Sequence, residues 1–494
     1  MKKNLSLYIV IIGIFAVLIW GIIEKGKTLT SEKQNSILEQ IDSVKGKNVV
    51  AHAVSNDGFL AHITHSIKYP ISLLLLQIII ILATARIFGV IFSKLGQPSV
   101  VGEIIAGIVL GPSVMGLLFP EFLTFLFPAD ALKNLQFLSQ IGLAFFMFMI
   151  GMELDLHKIK NKAKDALVIS HSSIIFPFFL GVVLSYFIYE KFAPSNVSFL
   201  VFALFMGIAM SITAFPVLAR IVKDRGLTKT PLGIMVISCA AADDITAWCI
   251  LAVVIAIAKA GSIVSALYTI IPAIFYIAAM LYLVRPWLKK VINSSSPNEN
   301  LNKAHVTLIF LTLLLSAYLA EIIGIHLLFG AFLAGTIMPQ GQESRVRELL
   351  TEKVEDISVI VFLPIFFAVT GLRTQIGLLN EGHLWVTCAV VIMVAVVGKF
   401  GGSAFAARLV GQSWKDSLSI GALMNTRGLM ELIVLNIGYD LGILSPEIFA
   451  IMVLMALSTT FMTGPLLDLI KYLYFQSATS TRAEMGNKHK EALR

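Results

Sequence analysis

The chain has 494 residues, 57% of them hydrophobic and 14% charged, with a formal net charge of +8 and a mean hydropathy of +0.86. Soluble domains are about 45–50% apolar and about 25% charged, so an ordinary soluble enzyme is excluded. Long, weakly charged apolar runs also exclude a disordered chain, a collagen, a transmembrane barrel and a nucleic-acid-binding domain. Cys239, Cys249 and Cys388 all lie inside apolar runs, which leaves no disulfide framework and no cysteine-based metal site.

The expectation is an all-α polytopic membrane protein. Its first apolar run, 5–23, follows Met1, Lys2, Lys3 and Asn4 and closes without a small-residue cleavage site, so it reads as an uncleaved anchor helix. Residues 24–69 form a polar segment; its His52, His62 and His65 lack a tight ligand spacing, and a plain solvated segment is the reading. Together, 1–69 make an N-terminal anchor and extracytoplasmic segment. Further runs follow at 70–93, 99–119, 134–153, 166–188, 198–221, 231–258, 263–284, 304–320, 322–339, 355–371, 384–409, 415–437 and 445–470. Most are long enough to cross about 30 Å of hydrocarbon, giving about 13 core spans. A transmembrane domain over 70–475 and a short cytoplasmic tail over 476–494 complete the chain.

Positive charge sets the orientation, because cytoplasmic loops collect Lys and Arg. Lys158, Lys160, Lys162 and Lys164 fall in one loop, and Arg220, Lys223, Arg225 and Lys229 in another. Arg285, Lys289, Lys290 and Lys303, then Arg345, Arg347 and Lys353, occupy two more of the same parity. Those loops are assigned to the cytoplasm, together with the basic tail after Lys471. The net charge is therefore a topology signal and not a nucleic-acid footprint.

Two stretches repeat. Ala106-Gly107 through Gly111-Pro112 is echoed by Ala334-Gly335 through Pro339, and Phe145-Phe146 before Gly151 is echoed by Phe366-Phe367 before Gly371. In the topology above, each matched pair crosses in opposite directions, the mark of inverted-topology halves in secondary transporters. Such transporters break two helices near the midplane. Ser211, Thr213 and Pro216 mark one break, since proline removes a helix hydrogen bond. Gly421, Asn425, Thr426, Arg427 and Gly428 mark the other.

The decisive charges are Asp243 and Asp244, deep in the run 231–258. A carboxylate at a helix centre costs about 2.5–3.5 kcal/mol on insertion scales. Neighbours on a helix point about 100° apart, so one acid can face an ion cavity while the other faces a helix partner. Lys399, mid-span between glycines, is the charge partner, and Arg427 and Glu431 have the i, i+4 spacing of an ion pair. Glu321 and His326 read as packing or capping residues, and Glu153, Asp155 and Arg373 as snorkelling residues at membrane edges. No phosphate-binding loop, dinucleotide fingerprint, Ser-His-Asp arrangement or HExxH motif occurs in a credible context, so neither an enzyme nor a cofactor is indicated.

Several stretches resemble the monovalent cation:proton antiporter-2 family, most closely its plant cation/proton exchanger branch. They are Gln97-Pro98-Ser99-Val100-Val101-Gly102-Glu103, Thr213-Ala214-Phe215-Pro216, Asp243-Asp244, Gly324-Ile325-His326, Gly371-Leu372-Arg373-Thr374 and Asn425-Thr426-Arg427-Gly428-Leu429-Met430-Glu431. The resemblance covers roughly residues 70–470. It implies an inverted-repeat fold with two broken, crossing helices, usually as a homodimer, in which a core domain moves against a dimerisation domain. It also implies that Asp244 binds the cation or proton, with Asp243 in a position many relatives fill with Asn and Lys399 often paired to it. Glu431 lies two residues beyond the acid of some sodium-selective relatives, where this chain has Leu429. The expected function is exchange of protons for K+ or Na+ across the cytoplasmic membrane by alternating access, with Asp244, Asp243 and Thr213 as ion-binding residues. Ser211, Pro216, Asn425, Thr426, Arg427 and Glu431 support them. The rival, a proton- or cation-conducting channel, needs a continuous pore rather than one buried titrating pair.

Overall fold

The computed structural model describes residues 69–153, 163–260, 263–293, 303–338 and 356–491, all within one unit, Ser66–Arg494. The anchor run at 5–23, the segment 24–68 with its histidines, Asp155, the lysines at 158, 160 and 162, and the basic loop with Arg345, Arg347 and Lys353 lie outside the described residues. Every regular element among the described residues is helical, as a bilayer requires of any segment that must satisfy its own backbone groups.

In chain order these are α1 (Pro70–Lys94), α2 (Ser99–Leu110), two short helices, α3 (Ala129–Glu153), α4 (Ala163–Phe192), α5 (Phe199–Ala209), α6 (Phe215–Asp224) and α7 (Pro231–Ala260). The helix α8 (Ile263–Ala279) runs through a π turn, Met280–Val284, into Arg285–Asn293. Then come α9 (Lys303–Ile323), α10 (Leu327–Thr336) and α11 (Leu363–Arg373), the last preceded by a π turn at Ser358–Phe362. Finally there are α12 (Gly382–Val396, continued through a π turn at Val397–Gly401 to Gly402–Leu409), α13 (Trp414–Met424), α14 (Leu429–Asp440) and α15 (Pro446–Glu491).

Ten of these helical stretches are long and apolar enough to cross a membrane, and α13 with α14, bent by 41°, makes an eleventh. The run 198–221 divides into α5 and α6. The run 322–339 yields only the ten-residue α10, about 15 Å of helix and short of a full crossing. Its entry is tightened by Gly324 and by His326, whose φ of 78° is rare for a residue with a side chain. Beyond residue 475, where a separate tail was expected, α15 continues to Glu491.

Burial follows a membrane pattern. On α1 the buried residues Leu73, Gln77, Ile81, Ala85 and Gly89 recur every fourth position, a single stripe of neighbours along one helix face. On its other faces Ile71, Leu75, Ile79 and Ile87 are exposed, while Leu74, Leu76, Ile78 and Ile80 are partly buried. Within the unit the helices pack in two sets: α1, α2, α3, α9, α10 and α11 against one another, and α4 to α7 with α12 to α15. The helix α8 touches α7 on one side and α9 on the other.

The inverted repeat is physical as well as textual. Each Ala-Gly helix packs on the Phe-Phe helix of the opposite repeat. A Cβ on Gly371 of α11 would lie 2.0 Å from the Gly107 carbonyl carbon of α2, and a Cβ on Gly335 of α10 would lie 2.0 Å from the Phe148 carbonyl oxygen of α3. The reciprocal positions are as tight, 2.4 Å for Gly107 against Phe367 and 2.2 Å for Gly151 against Phe332. Four equivalent glycines thus bring two pairs of backbones into contact, the small-residue packing that membrane helices use in place of a hydrophobic drive.

Gly371→Ala should therefore destabilise the protein by about 1–3 kcal/mol or more, the cost of overpacking a tight contact. Gly382→Ala, with nothing within 4 Å of the added Cβ, should stay within about 0.5 kcal/mol. Thermal unfolding in detergent compares the two, and equal shifts would show that the crossing is loose.

Candidate functional site

The site is built where two interrupted helices meet. Between α5 and α6 the chain leaves helical geometry over 210–214, and between α13 and α14 over 425–428. The two breaks are joined directly, the Ala214 amide donating to the Thr426 carbonyl at 3.1 Å. Pro216 lies at the second position of α6, so it opens the second half-helix, where its missing N–H costs nothing. Gly428, with φ 148°, precedes α14 and supplies a backbone angle that other residues rarely adopt.

A helix that stops inside the membrane exposes carbonyls and the negative end of its dipole. At the end of α5 two cations take them. Arg427 donates from Nη1 to the Ala209 carbonyl at 3.3 Å and from Nη2 to the Met210 carbonyl at 2.7 Å. Lys399 Nζ donates to the next carbonyl, that of Ser211.

Lys399 is brought there by the sequence of α4. Pro177 has no N–H for the carbonyl four residues earlier, that of Ser173, and this carbonyl accepts from Lys399 Nζ at 2.9 Å. The approach of α12 is close because Gly398 lies against Pro177, where a Cβ would be 2.8 Å from the Pro177 Cα. Lys399 itself rides on a π turn, an irregularity frequent at functional sites. Its third proton goes to Asp243 Oδ2 at 2.9 Å, an ion pair with neither side chain exposed.

Asp243 receives three hydroxyls besides the ammonium: Ser170 at 2.7 Å, Ser173 at 2.7 Å and Thr213 at 2.6 Å. Asp244, its neighbour on α7, is 1% exposed, and neither carboxylate oxygen has a hydrogen-bond partner. Of the two acids, Asp243 is the one held by helix partners, and Asp244 is not. Asp243 and Thr213, expected as ion ligands, are hydrogen-bonded to each other, and Asp243 also to Lys399.

The remaining buried charges pair. Arg427 Nη1 lies 3.2 Å from Glu431 Oε1, and Glu431 belongs to the first turn of α14, where a carboxylate complements the helix dipole. The i, i+4 pair was legible in sequence, but Arg427 lies in the break and not in the helix, so it bridges both interrupted helices. Thr460 of α15 clamps it, donating to the Arg427 carbonyl at 2.6 Å and accepting from the Arg427 amide at 3.2 Å. Thr426 meets Thr463 at 3.3 Å. Asn425 is buried with both side-chain polar atoms unpartnered, and Ser211 donates to the Gly207 carbonyl at 2.6 Å.

Among the described residues the fully buried charges are Asp243, Asp244, Lys399, Arg427 and Glu431. Lys399 with Asp243 and Arg427 with Glu431 cancel, which leaves one negative charge, on Asp244. An unpaired buried ion carries a penalty of several kcal/mol, and no side chain among the described residues compensates a charge on Asp244.

Sequence reading missed Ser170, Ser173, Thr460 and Thr463. Ser170 and Ser173 had a signal, hydroxyls within two turns of Pro177 in an apolar run, but nothing in the sequence named their partner. Glu321 and His326 do cap α10, Glu321 Oε2 accepting from the Leu327 amide at 2.8 Å and His326 Nδ1 from the Leu328 amide at 3.4 Å. Arg373, read as a snorkelling residue, is paired with Asp440 at 2.8 Å.

The family model described as sodium/hydrogen exchanger, transmembrane, matches residues 79–470. The chain is 46% identical over 395 residues to the Na(+)/H(+) antiporter NhaS4 of Synechocystis sp., covering 80% of this chain and 96% of that protein. It is 38% identical over 439 residues to Cation/H(+) antiporter 17 of Arabidopsis thaliana, covering 88% and 52%. With K(+)/H(+) antiporter 1 of Saccharomyces cerevisiae it shares 35% over 411 residues, 81% and 46%. The chain thus spans about half the length of the plant and yeast relatives. Its fold is similar to that of the sodium proton antiporter MjNhaP1 from Methanocaldococcus jannaschii, with a TM-score of 0.60 at 14% identity, covering 82% of this chain and 97% of that one.

Removing Lys399 strands Asp243. Lys399→Ala should cost about 3–5 kcal/mol, the usual penalty for breaking a buried pair, whereas Lys399→Gln with Asp243→Asn should recover much of it. A double-mutant cycle on thermal stability in detergent reads the coupling. Simple additivity of the two single changes would refute the pairing.

Proposed function

The chain belongs to the sodium/hydrogen exchanger family, and from that premise we propose that it is a secondary active antiporter in which Asp244 carries either a proton or a monovalent cation, K+ or Na+, across the membrane. The single observation behind this reading is the charge count at the breaks, two buried cations against three buried acids. One carboxylate with room for one positive charge binds proton and cation in turn, which is the chemistry of exchange. Asp243 is then a fixed neutral element, its charge cancelled by Lys399. Thr213, Ser170 and Ser173 hold it in place.

The orientation is part of the proposal, with the C-terminus in the cytoplasm of a cell whose cytoplasmic membrane holds the protein. It is supported by the lysine and arginine bias and by contacts between helix ends. The topology assigned to one face the ends holding Ser113, Gln136, Thr374 and Asp440, and Ser113 donates to the Thr374 carbonyl at 2.6 Å while Gln136 reaches Asp440 at 3.2 Å. To the other face it assigned Ser99, Arg220, Arg225 and the end of the last span, and there Arg220 meets Ser99 at 3.1 Å and Arg225 pairs with Asp468. A homodimer completes the reading, on the strength of the motif resemblance.

Asp244→Asn should abolish cation-driven proton movement in proteoliposomes while leaving the fold intact, because the amide binds neither the proton nor the cation as a counter-charge. Near-normal exchange in that variant would sink the mechanism. In the unaltered protein, lowering the pH fills Asp244 with protons and should raise the cation concentration needed for half-maximal exchange. A half-saturation constant that ignores pH would count against a shared carboxylate, and flux that only dissipates gradients would favour a channel.

A further inference from the structure

The half-helix α14 carries Glu431 at its inner end and Asp440 at its outer end, and it belongs to the second helix set, packed on α5 and α15. Its outer end nevertheless holds the first set by a group of polar contacts. Arg373, the last residue of α11, pairs through Nη2 with Asp440 Oδ1 at 2.8 Å and donates from Nη1 to Asn436 Oδ1 at 2.8 Å. Its guanidinium lies over the Tyr439 ring, 5.4 Å from the centroid. Asn436 donates in turn to Thr370 Oγ1 of α11 at 2.8 Å, and Gln136 of α3 donates to both oxygens of Asp440 at 3.2 Å.

Two features separate this group from surface ion pairs of little consequence. It is partly withdrawn from water, the side chains of Arg373 and Asp440 being 17% and 34% exposed. Arg373 is held by an acid, an amide and a ring at once, all three on α14, so that none of its bonding lies within its own helix set. A charged contact between two packed bodies holds whichever arrangement contains it and opposes any arrangement that lacks it.

We propose that Arg373 and Asp440, with Asn436 and Gln136, form a latch between the two helix sets. It closes the mouth of the molecule at the Arg373 end and opens each time α14 moves away from α3 and α11 during exchange. This rests on the alternating-access reading of the preceding subsection. Because α14 begins at the break that holds Arg427 and carries Glu431 in its first turn, the latch and that buried ion pair are two ends of one helical segment. By the topology above, the latched mouth is the extracytoplasmic one.

Weakening the latch should move the balance toward the state open at that mouth. Since apparent affinity scales with the fraction of binding-competent protein, Arg373→Ala should improve apparent affinity for Na+ or K+ presented outside. It should worsen that for the same ion presented inside by a similar factor, about tenfold at each face by the usual size of such couplings. A role in packing alone predicts loss of rate or the same change at both faces, and either result overturns the proposal. The second arm places Arg373→Cys and Asp440→Cys in a Cys249→Ala background and joins them with a short thiol-cleavable bis-methanethiosulfonate. Exchange should stop on cross-linking and return on reduction. Exchange by the cross-linked protein at the unlinked rate would show that the contact persists through the cycle, and the latch would be refuted. If the Cys249→Ala protein with Arg373 and Asp440 intact moves no cation, the antiport reading itself fails.

Discussion

A helix cut in the middle of a bilayer leaves carbonyls that water cannot reach, and everything at the centre of this protein follows from how those carbonyls are satisfied. At the end of α5 the answer is two cations, Arg427 from the facing break and Lys399 from α12. Each cation then needs an acid of its own, and each has one, Glu431 and Asp243. The backbone bond from Ala214 to Thr426 ties the breaks to each other, so backbone and charge are solved by the same few residues. With both cations committed, a third acid on the same helices has no protein partner, and that acid is Asp244.

Much of this was legible in the sequence because charge in an apolar run is a loud signal. The two breaks, the Asp243-Asp244 pair, Lys399 as partner and the Arg427–Glu431 spacing all stand out against their surroundings, and the paired glycine motifs announced the repeat. Other features were silent for physical reasons. Ser170 and Ser173 are two hydroxyls among many, and their importance lies in facing Asp243, which periodicity along α4 cannot reveal. The role of Pro177 depends on an absent N–H meeting a lysine 222 positions further on, a long-range relation with no local trace. Arg373 looked like an interfacial arginine because its partners lie on a helix far along the chain.

Thr213 shows how a hydroxyl in a helix break is recruited by an acid within reach. Expected as a cation ligand, it donates a hydrogen bond to Asp243 at 2.6 Å. The reason is the carboxylate's capacity for hydrogen bonds. An ionised carboxylate accepts several hydrogen bonds and gains most from charge-assisted ones, so a hydroxyl within reach of Asp243 and Lys399 is drawn into that network. Once three hydroxyls and an ammonium surround it, Asp243 has little left to offer an incoming ion.

The same charge count bears on why exchange need not leak. An empty Asp244 would be a bare carboxylate buried away from water, and moving the site from one side of the membrane to the other in that condition carries the full cost of an uncompensated ion. Loaded with a proton or a monovalent cation, the site is neutral, since Lys399 and Arg427 are already matched by Asp243 and Glu431. The empty carrier is therefore the form least able to change state, and either loaded form is able to. If Asp244 carries the exchanged ion as proposed, coupling of cation to proton needs no separate gate at the ion site; it follows from placing a single unmatched acid among charges that are otherwise balanced.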